Sequence, residues 1–265
     1  MRLMSIASGS SGNCIYVGDD NTHILIDAGI SKKRVEEGLN SIGLTVDDLD
    51  AIFVTHEHSD HIGGLGVLTR KCQAPVYATK GTLDGIFNYT SLGKIDPEQF
   101  ISIEENQCIM VGDIKVDPMK ISHDAAQPVA YRFFKGDKRI AIATDMGMIT
   151  EENEEKLKGM NAILLEANHD VNMFQVGPYP YYLKQRILGN KGHLSNENAG
   201  RLLSRIAHDG LKHISLGHLS QENNMPALAY EAVRLEITMG DNPYQASDFD
   251  IAVAKRSEPS RVVTI

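Results

Sequence analysis

Thr55-His56-Glu57-His58-Ser59-Asp60-His61 follows directly on the apolar run 51–54. Three imidazoles and a carboxylate crowded into six positions must either stand in water or be gathered around something that binds them. If the chain leaves the strand extended, residues two apart point the same way. His56 and His58 can then grip one ion together, and Asp60 and His61 can face a second as the chain turns. Neutral imidazole and carboxylate are ligands that suit zinc, manganese or iron. Gly63 and Gly64 give the loop turning room before the next helix.

One motif cannot complete the shells of two ions, so further ligands are expected at other strand ends. His123 lies past a predicted strand at 114–118, Asp145 past the apolar run 140–144 and His218 past 213–216. Asp27 closes another predicted strand, 23–27. The remaining predicted strands are 3–7, 14–17, 51–54, 76–78, 108–111, 129–134, 139–143 and 162–166, with Gly136-Asp137 as a hairpin signal. Helices are predicted from the cap Ser31 to about 40 and over 64–71, 151–158, 179–188, 195–208 and 226–237. Strands first, then mixed strand and helix, suit an α/β fold of two packed sheets flanked by helices. No linker or repeat divides the chain, so residues 1–265 are expected to form a single domain.

Composition narrows the function. The net charge of −9 argues against a globally basic nucleic-acid binder, although a local basic patch or a bound metal can still receive a phosphate. Cys14, Cys72 and Cys108 are odd in number and form no CxxC pair, which argues against disulfides and against a cysteine zinc site. The N-terminus lacks the apolar stretch of a secretory signal, and no apolar run is long enough to span a bilayer. A cytoplasmic location is expected.

HxHxDH, together with Ile24-Leu25-Ile26-Asp27-Ala28-Gly29 near the start and Leu216-Gly217-His218 near the end, resembles the metallo-β-lactamase superfamily. The resemblance implies a four-layer αββα sandwich with metals at one edge. It places His56, His58 and His123 on a first metal, Asp60, His61 and His218 on a second, and Asp145 between them. Asp27 would support the histidine loop from behind the ligands. Gly192-His193-Leu194-Ser195 repeats the Gly-His-Leu-Ser of 217–220. His218 is chosen as the ligand because it follows a strand, whereas His193 precedes a helix that Ser195 can cap. His193 resembles the residue that protonates the leaving oxygen in phosphodiesterase members, and Glu166 is the candidate to orient it. Asp60, His193 and Glu166 make up the candidate catalytic set. His23, His169, His208 and His213 are not assigned.

Ser8-Gly9-Ser10-Ser11-Gly12-Asn13 and Leu216-Gly217-His218-Leu219-Ser220-Gln221-Glu222-Asn223-Asn224 resemble the bacterial YycJ/WalJ branch of the superfamily. That resemblance implies a DNA 5′-exonuclease linked to repair, in which a hydroxide activated by two zinc or manganese ions (iron is possible) attacks phosphorus. Lys184, Arg186, Lys191, Arg201 and Arg205, with Tyr179, Tyr181 and Tyr182 nearby, could guide a phosphate backbone and stack bases, or could simply be a solvated helix face.

Rival readings are weighed against the same residues. A di-iron redox relative would carry glutamate where His58 stands. A large RNA-processing nuclease needs a domain inserted before the last ligand, and only 73 positions separate Asp145 from His218. A non-catalytic binding module would have lost ligands. A small-molecule hydrolase acting on a cyclic phosphodiester, thioester, lactone or lactam remains open, as does the oligomeric state.

Overall fold

Short β-branched runs punctuated by glycine and asparagine become short strands. The computed structural model describes residues 1–265. In chain order the elements are β1 (Arg2–Ala7), β2 (Cys14–Gly18), β3 (His23–Ile26), α1 (Lys32–Asn40), β4 (Ala51–Phe53), α2 (Ser59–Ile62), α3 (Leu65–Thr69), β5 (Val76–Thr79) and α4 (Lys80–Asn88). There follow β6 (Phe100–Ile103), β7 (Ile109–Val111), β8 (Ile114–Lys120), β9 (Val129–Lys135), β10 (Lys138–Ala143), α5 (Glu151–Leu157), β11 (Ala162–Glu166), α6 (Val171–Val176) and α7 (Tyr181–Leu188). The chain closes with α8 (Asn196–Ile206), β12 (His213–Gly217), α9 (Pro226–Met239), β13 (Asp250–Val253) and β14 (Val263–Thr264). No helix is long and apolar enough to cross a membrane.

Two compact units divide the chain. The first comprises Met1–Lys120, Ala125–Asp137 and Lys255–Thr264. Its main sheet runs β14-β1-β2-β3-β4-β5-β6. The pairs from β14 to β3 are antiparallel, and those from β3 to β6 are parallel. Parallel pairing sends the chain out of β3, β4 and β5 at one edge, so Asp27 and the histidine motif emerge side by side. Among the parallel strands β4 is buried on both faces and β3 and β5 nearly so, as parallel strands generally are, whereas the edge strand β6 exposes Ile101 and Ser102. Leu25, Ile52 and Val76 pack with Leu39 of α1 and Leu65 of α3 in one apolar cluster. Strands β7, β8 and β9 form an antiparallel set in the same unit.

The second unit comprises Ile121–Asp124, Lys138–Ala254 and Ile265. Here β10, β11, β12 and β13 are all parallel. Ala143 is level with Leu165, and Glu166 with Gly217. This register fixes where the chemistry lies. Asp145, Glu166 and His218 are at or just past the carboxyl ends of three adjacent strands, the usual place for a site in an α/β sheet. Side chains from β10, β11 and β12, such as Ile142, Leu164 and Ile214, are fully or almost fully buried. Helix α8 packs closely on α9, and a Cβ on Gly200 would lie 2.7 Å from the Glu236 Cβ.

Candidate metal centre

The first unit supplies four of the seven predicted ligands, His56, His58, Asp60 and His61. His58 keeps extended dihedrals (φ −64°, ψ 147°), so the chain stays strand-like through it before α2 begins. The His56 and His58 rings lie 4.6 Å apart, and those of His56 and His61 4.0 Å. Glu57, between them in sequence, turns the other way and accepts a hydrogen bond from the Ala126 amide at 2.7 Å. The expected two-residue alternation is therefore realised. Asp60 and His61 then share the single turn of α2, with His61 Nε2 3.6 Å from Asp60 Oδ2.

Asp27 organises this loop. Its carboxylate accepts from the Thr55 amide at 2.8 Å, from the Thr55 hydroxyl, and from His61 Nδ1 at 2.7 Å. The Thr55 hydroxyl is also 3.0 Å from His56 Nδ1. Gly63 and Gly64 have ordinary helical dihedrals, so turning freedom is not their use. Gly64 instead permits close approach: a Cβ there would lie 1.8 Å from the Ile30 carbonyl oxygen. Gly29 does the same against Asp60, whose carbonyl oxygen would be 1.7 Å from an added Cβ. Sequence reasoning left Asn13 unassigned. It is fully buried, accepts from the Gly9 amide and places Nδ2 3.1 Å from His61 Nε2. Its position in a Gly/Ser loop gave no burial signal.

The second unit supplies the other three, His123, Asp145 and His218. Asp145 Oδ1 lies 3.7 Å from His123 Nε2, 3.5 Å from His218 Nε2 and 3.5 Å from His193 Nδ1. One ligand atom each from Asp145, Glu166, His193 and His218 fall within 4.8 Å of one another. His123 Nδ1 is 3.2 Å from the Gly192 carbonyl. Glu166, expected to serve His193 alone, is a hub. Its Oε1 accepts from His193 Nδ1 at 2.7 Å and from His218 Nδ1 at 3.0 Å. Its Oε2 accepts from the amides of Met146 at 2.8 Å and Leu194 at 3.2 Å.

Electrostatics follow from this geometry. Burial by itself would raise the Glu166 pKa, but the His193 charge and the hydrogen bonds from His193 and His218 bring it down to about 2. Burial likewise disfavours a charged His193. The Glu166 charge and hydrogen bond, with Asp145, outweigh that and raise its pKa above the ordinary histidine value. His169, without such a partner, is pushed by burial down to about 4.

The donor set fits divalent metal. A histidine that binds metal through one ring nitrogen characteristically commits the other to a carboxylate, carbonyl or similar group. His56, His61, His123 and His218 all do so through Nδ1, against Thr55, Asp27, the Gly192 carbonyl and Glu166 respectively. Nε2 is then the candidate ligand atom of each, and that of His61 also lies 3.1 Å from Asn13 Nδ2. Glu166 has both oxygens committed and so acts behind the ligands.

The unassigned histidines lie elsewhere. His23 Nδ1 meets the Tyr16 hydroxyl, His208 Nε2 faces the Met160 carbonyl, and His213 sits between Asp250 and Ser215. The predicted basic cluster divides. Arg201 and Arg205 form ion pairs with Glu236 and Glu154. Lys184, Arg186 and Lys191 remain with the tyrosines on or beside α7.

Residues 22–214 match the description of a β-lactamase superfamily domain. The exodeoxyribonuclease YycJ of Bacillus anthracis is 42% identical over 233 residues, 88% of each chain. The exodeoxyribonuclease WalJ of Streptococcus pneumoniae is 41% identical over 236 residues, 89% of this chain and 88% of that one. Among solved structures, Zn(2+)-bound PqqB from Methylobacterium extorquens superposes with a TM-score of 0.73 at 17% identity over the whole of both chains. At that identity the likeness speaks for the α/β fold and for nothing further.

Proposed function

The chain belongs to the metallo-β-lactamase superfamily, on its YycJ/WalJ branch, and from that premise we propose a metal-dependent exodeoxyribonuclease that removes nucleotides from the 5′ end of DNA during repair. The observation that carries the reading is the identity of 41–42% to two exodeoxyribonucleases over most of the chain. The committed Nδ1 atoms and the charged Glu166 hub support it chemically.

In this reading two divalent ions are bound, zinc or manganese, with iron accepted by the same donors. His56, His58 and His123 would hold one, Asp60, His61 and His218 the other, with Asp145 available to both. In this reading residues 1–265 act as one functional domain. When bound, such ions would supply Lewis acidity toward water and a phosphodiester near neutral pH.

The protein's own part is positioning and proton transfer. His193 holds one proton on Nδ1 against Glu166 and presents Nε2 to the departing oxygen, to which it gives a proton. Glu166 is a positioning residue that keeps His193 and His218 in orientation. Asp60 contributes as a ligand. A DNA substrate places the work in the cytoplasm, where Cys14, Cys72 and Cys108 stay free thiols.

The test is digestion of 5′- and 3′-labelled single- and double-stranded DNA and RNA with manganese or zinc. Mononucleotides are expected from the 5′ end of DNA. No cleavage of any polymer, with turnover of a cyclic phosphodiester, thioester or lactone, would overturn the reading. His61→Ala is expected to lose one bound ion and nearly all activity.

A further inference from the structure

We propose that α7 and the turn after it form a stacking platform for single-stranded DNA, leading the strand to the pocket that His193 lines; this rests on the nuclease reading above. Helix α7 buries none of its residues. Tyr181 is 78% exposed, Tyr182 75% and Leu188 54%. Large apolar side chains grouped on a surface in this way mark a contact site.

The charge around them identifies the partner. Residues 171–196 contain no aspartate or glutamate but carry Lys184 and Lys191, besides Arg186, whose charge is shared with Asp124, in a chain whose net charge is −9. Lys191 is exposed. Lys184 reaches the Gln175 carbonyl at 2.7 Å, which holds its ammonium at the end of α6.

The same helix builds the pocket. A cavity of about 110 Å³ is lined by Asp124, Leu183, Arg186, Ile187, Gly192 and His193. Its single carboxylate, Asp124, is paired with Arg186, so its negative charge is offset where a phosphate would approach. One helix therefore carries exposed rings on its outside and a wall of the His193 pocket on its inside. Stacking on tyrosine needs an open base face. A duplex hides that face and a single strand offers it, without regard to sequence.

The experiment uses the metal-loaded, full-length protein and a 3′-fluorescein phosphorothioate oligodeoxythymidylate of about twenty nucleotides, read by anisotropy. Tyr181→Ala with Tyr182→Ala is expected to weaken binding about ten-fold or more, and the phenylalanine pair to bind within about two-fold of wild type. Lys184→Gln with Lys191→Gln is expected to reduce the salt slope by about 1.4. Unchanged thermal midpoints confirm that the variants fold. Equal losses for duplex and single strand would overturn the proposal. So would wild-type affinity in the alanine pair, or a change confined to sedimentation, which would assign the face to a second copy of the chain. If the wild type binds through these tyrosines but releases no nucleotide from an ordinary strand, the nuclease reading fails and the platform stands.

Discussion

Glu166 shows how one buried carboxylate can serve two histidines. With Oε1 shared by His193 and His218 and Oε2 held by two amides, it has no capacity left for an ion. Its hydrogen bond to Nδ1 leaves His193 able to release a proton only from Nε2. The consequence for catalysis depends on the leaving group. His193→Gln is expected to slow cleavage of DNA, which expels a poorly leaving alkoxide, by roughly 10²–10⁴-fold. With a p-nitrophenyl ester of thymidine 5′-phosphate, whose leaving group needs no proton, the same variant is expected to retain most of its rate. Equal losses on both substrates, in single-turnover assays, would remove His193 from the role of acid. The candidate ligands could be named from sequence because their side chains are distinctive and stand at or shortly after strand ends. The double duty of Glu166 could not be, because nothing in Leu165-Glu166-Ala167 tells which nitrogens will face it.

At the scale of elements, the loops joining β1 to β2 and β3 to α1 are clamped onto α2 and the turn after it. The Asn13 amide donates to the Asp60 carbonyl at 2.7 Å, the Ala28 amide to the His61 carbonyl at 2.8 Å, and the Gly64 amide to the Ala28 carbonyl at 2.8 Å. Gly29 lies within this clamp. Gly29→Ala is expected to lower stability by about 3 kcal/mol or more, since backbone rather than a flexible side chain blocks the new methyl. Gly43→Ala is the control. Gly43 also has an unusual backbone (φ +78°) but nothing within 4 Å, so it carries only a conformational cost of about 1 kcal/mol. Denaturant titrations of both variants check the contrast. Helix α2 escaped sequence reading because its single turn, Ser59-Asp60-His61-Ile62, is mostly polar and lacks an apolar stripe. Helix α4 begins directly at the end of β5 and contains two glycines, which blurs its periodicity. Strand β13 is only partly buried and β14 has two residues, so neither produced an apolar run. Strands buried on both faces, such as β11, were read with correct bounds.

At the scale of the whole molecule, pH acts on stability through groups whose titration changes on folding. His169 is about 1% exposed and its pKa falls from 6.5 to about 4. The folded state holds it neutral, whereas the unfolded chain takes up a proton below about pH 6.5. Stability is therefore lost as pH falls from about 6.5 to 4 and is constant in this respect above that window. The wild type is expected to lose up to about 3 kcal/mol more than His169→Gln across the window, measured by urea unfolding at a series of pH values. Parallel curves for the two proteins would contradict this. The α/β class, the strand ends and the superfamily were open to sequence reading because they depend on local pattern. Sheet order was not, since it is decided by which buried faces meet.

Asp27, Asp145 and His218 are the only residues other than glycine with positive φ, at 60°, 60° and 54°. An L-residue in this conformation pays with its Cβ, and aspartate and asparagine tolerate it better than branched side chains do. Position 145 is therefore constrained twice, once by the ion it is proposed to hold and once by the bend of its own main chain. A descendant that had given up metal would be released from the first constraint and not from the second. Asp, Asn or Gly would persist at 145 in such a protein, a trace of backbone shape outliving the chemistry that once used it.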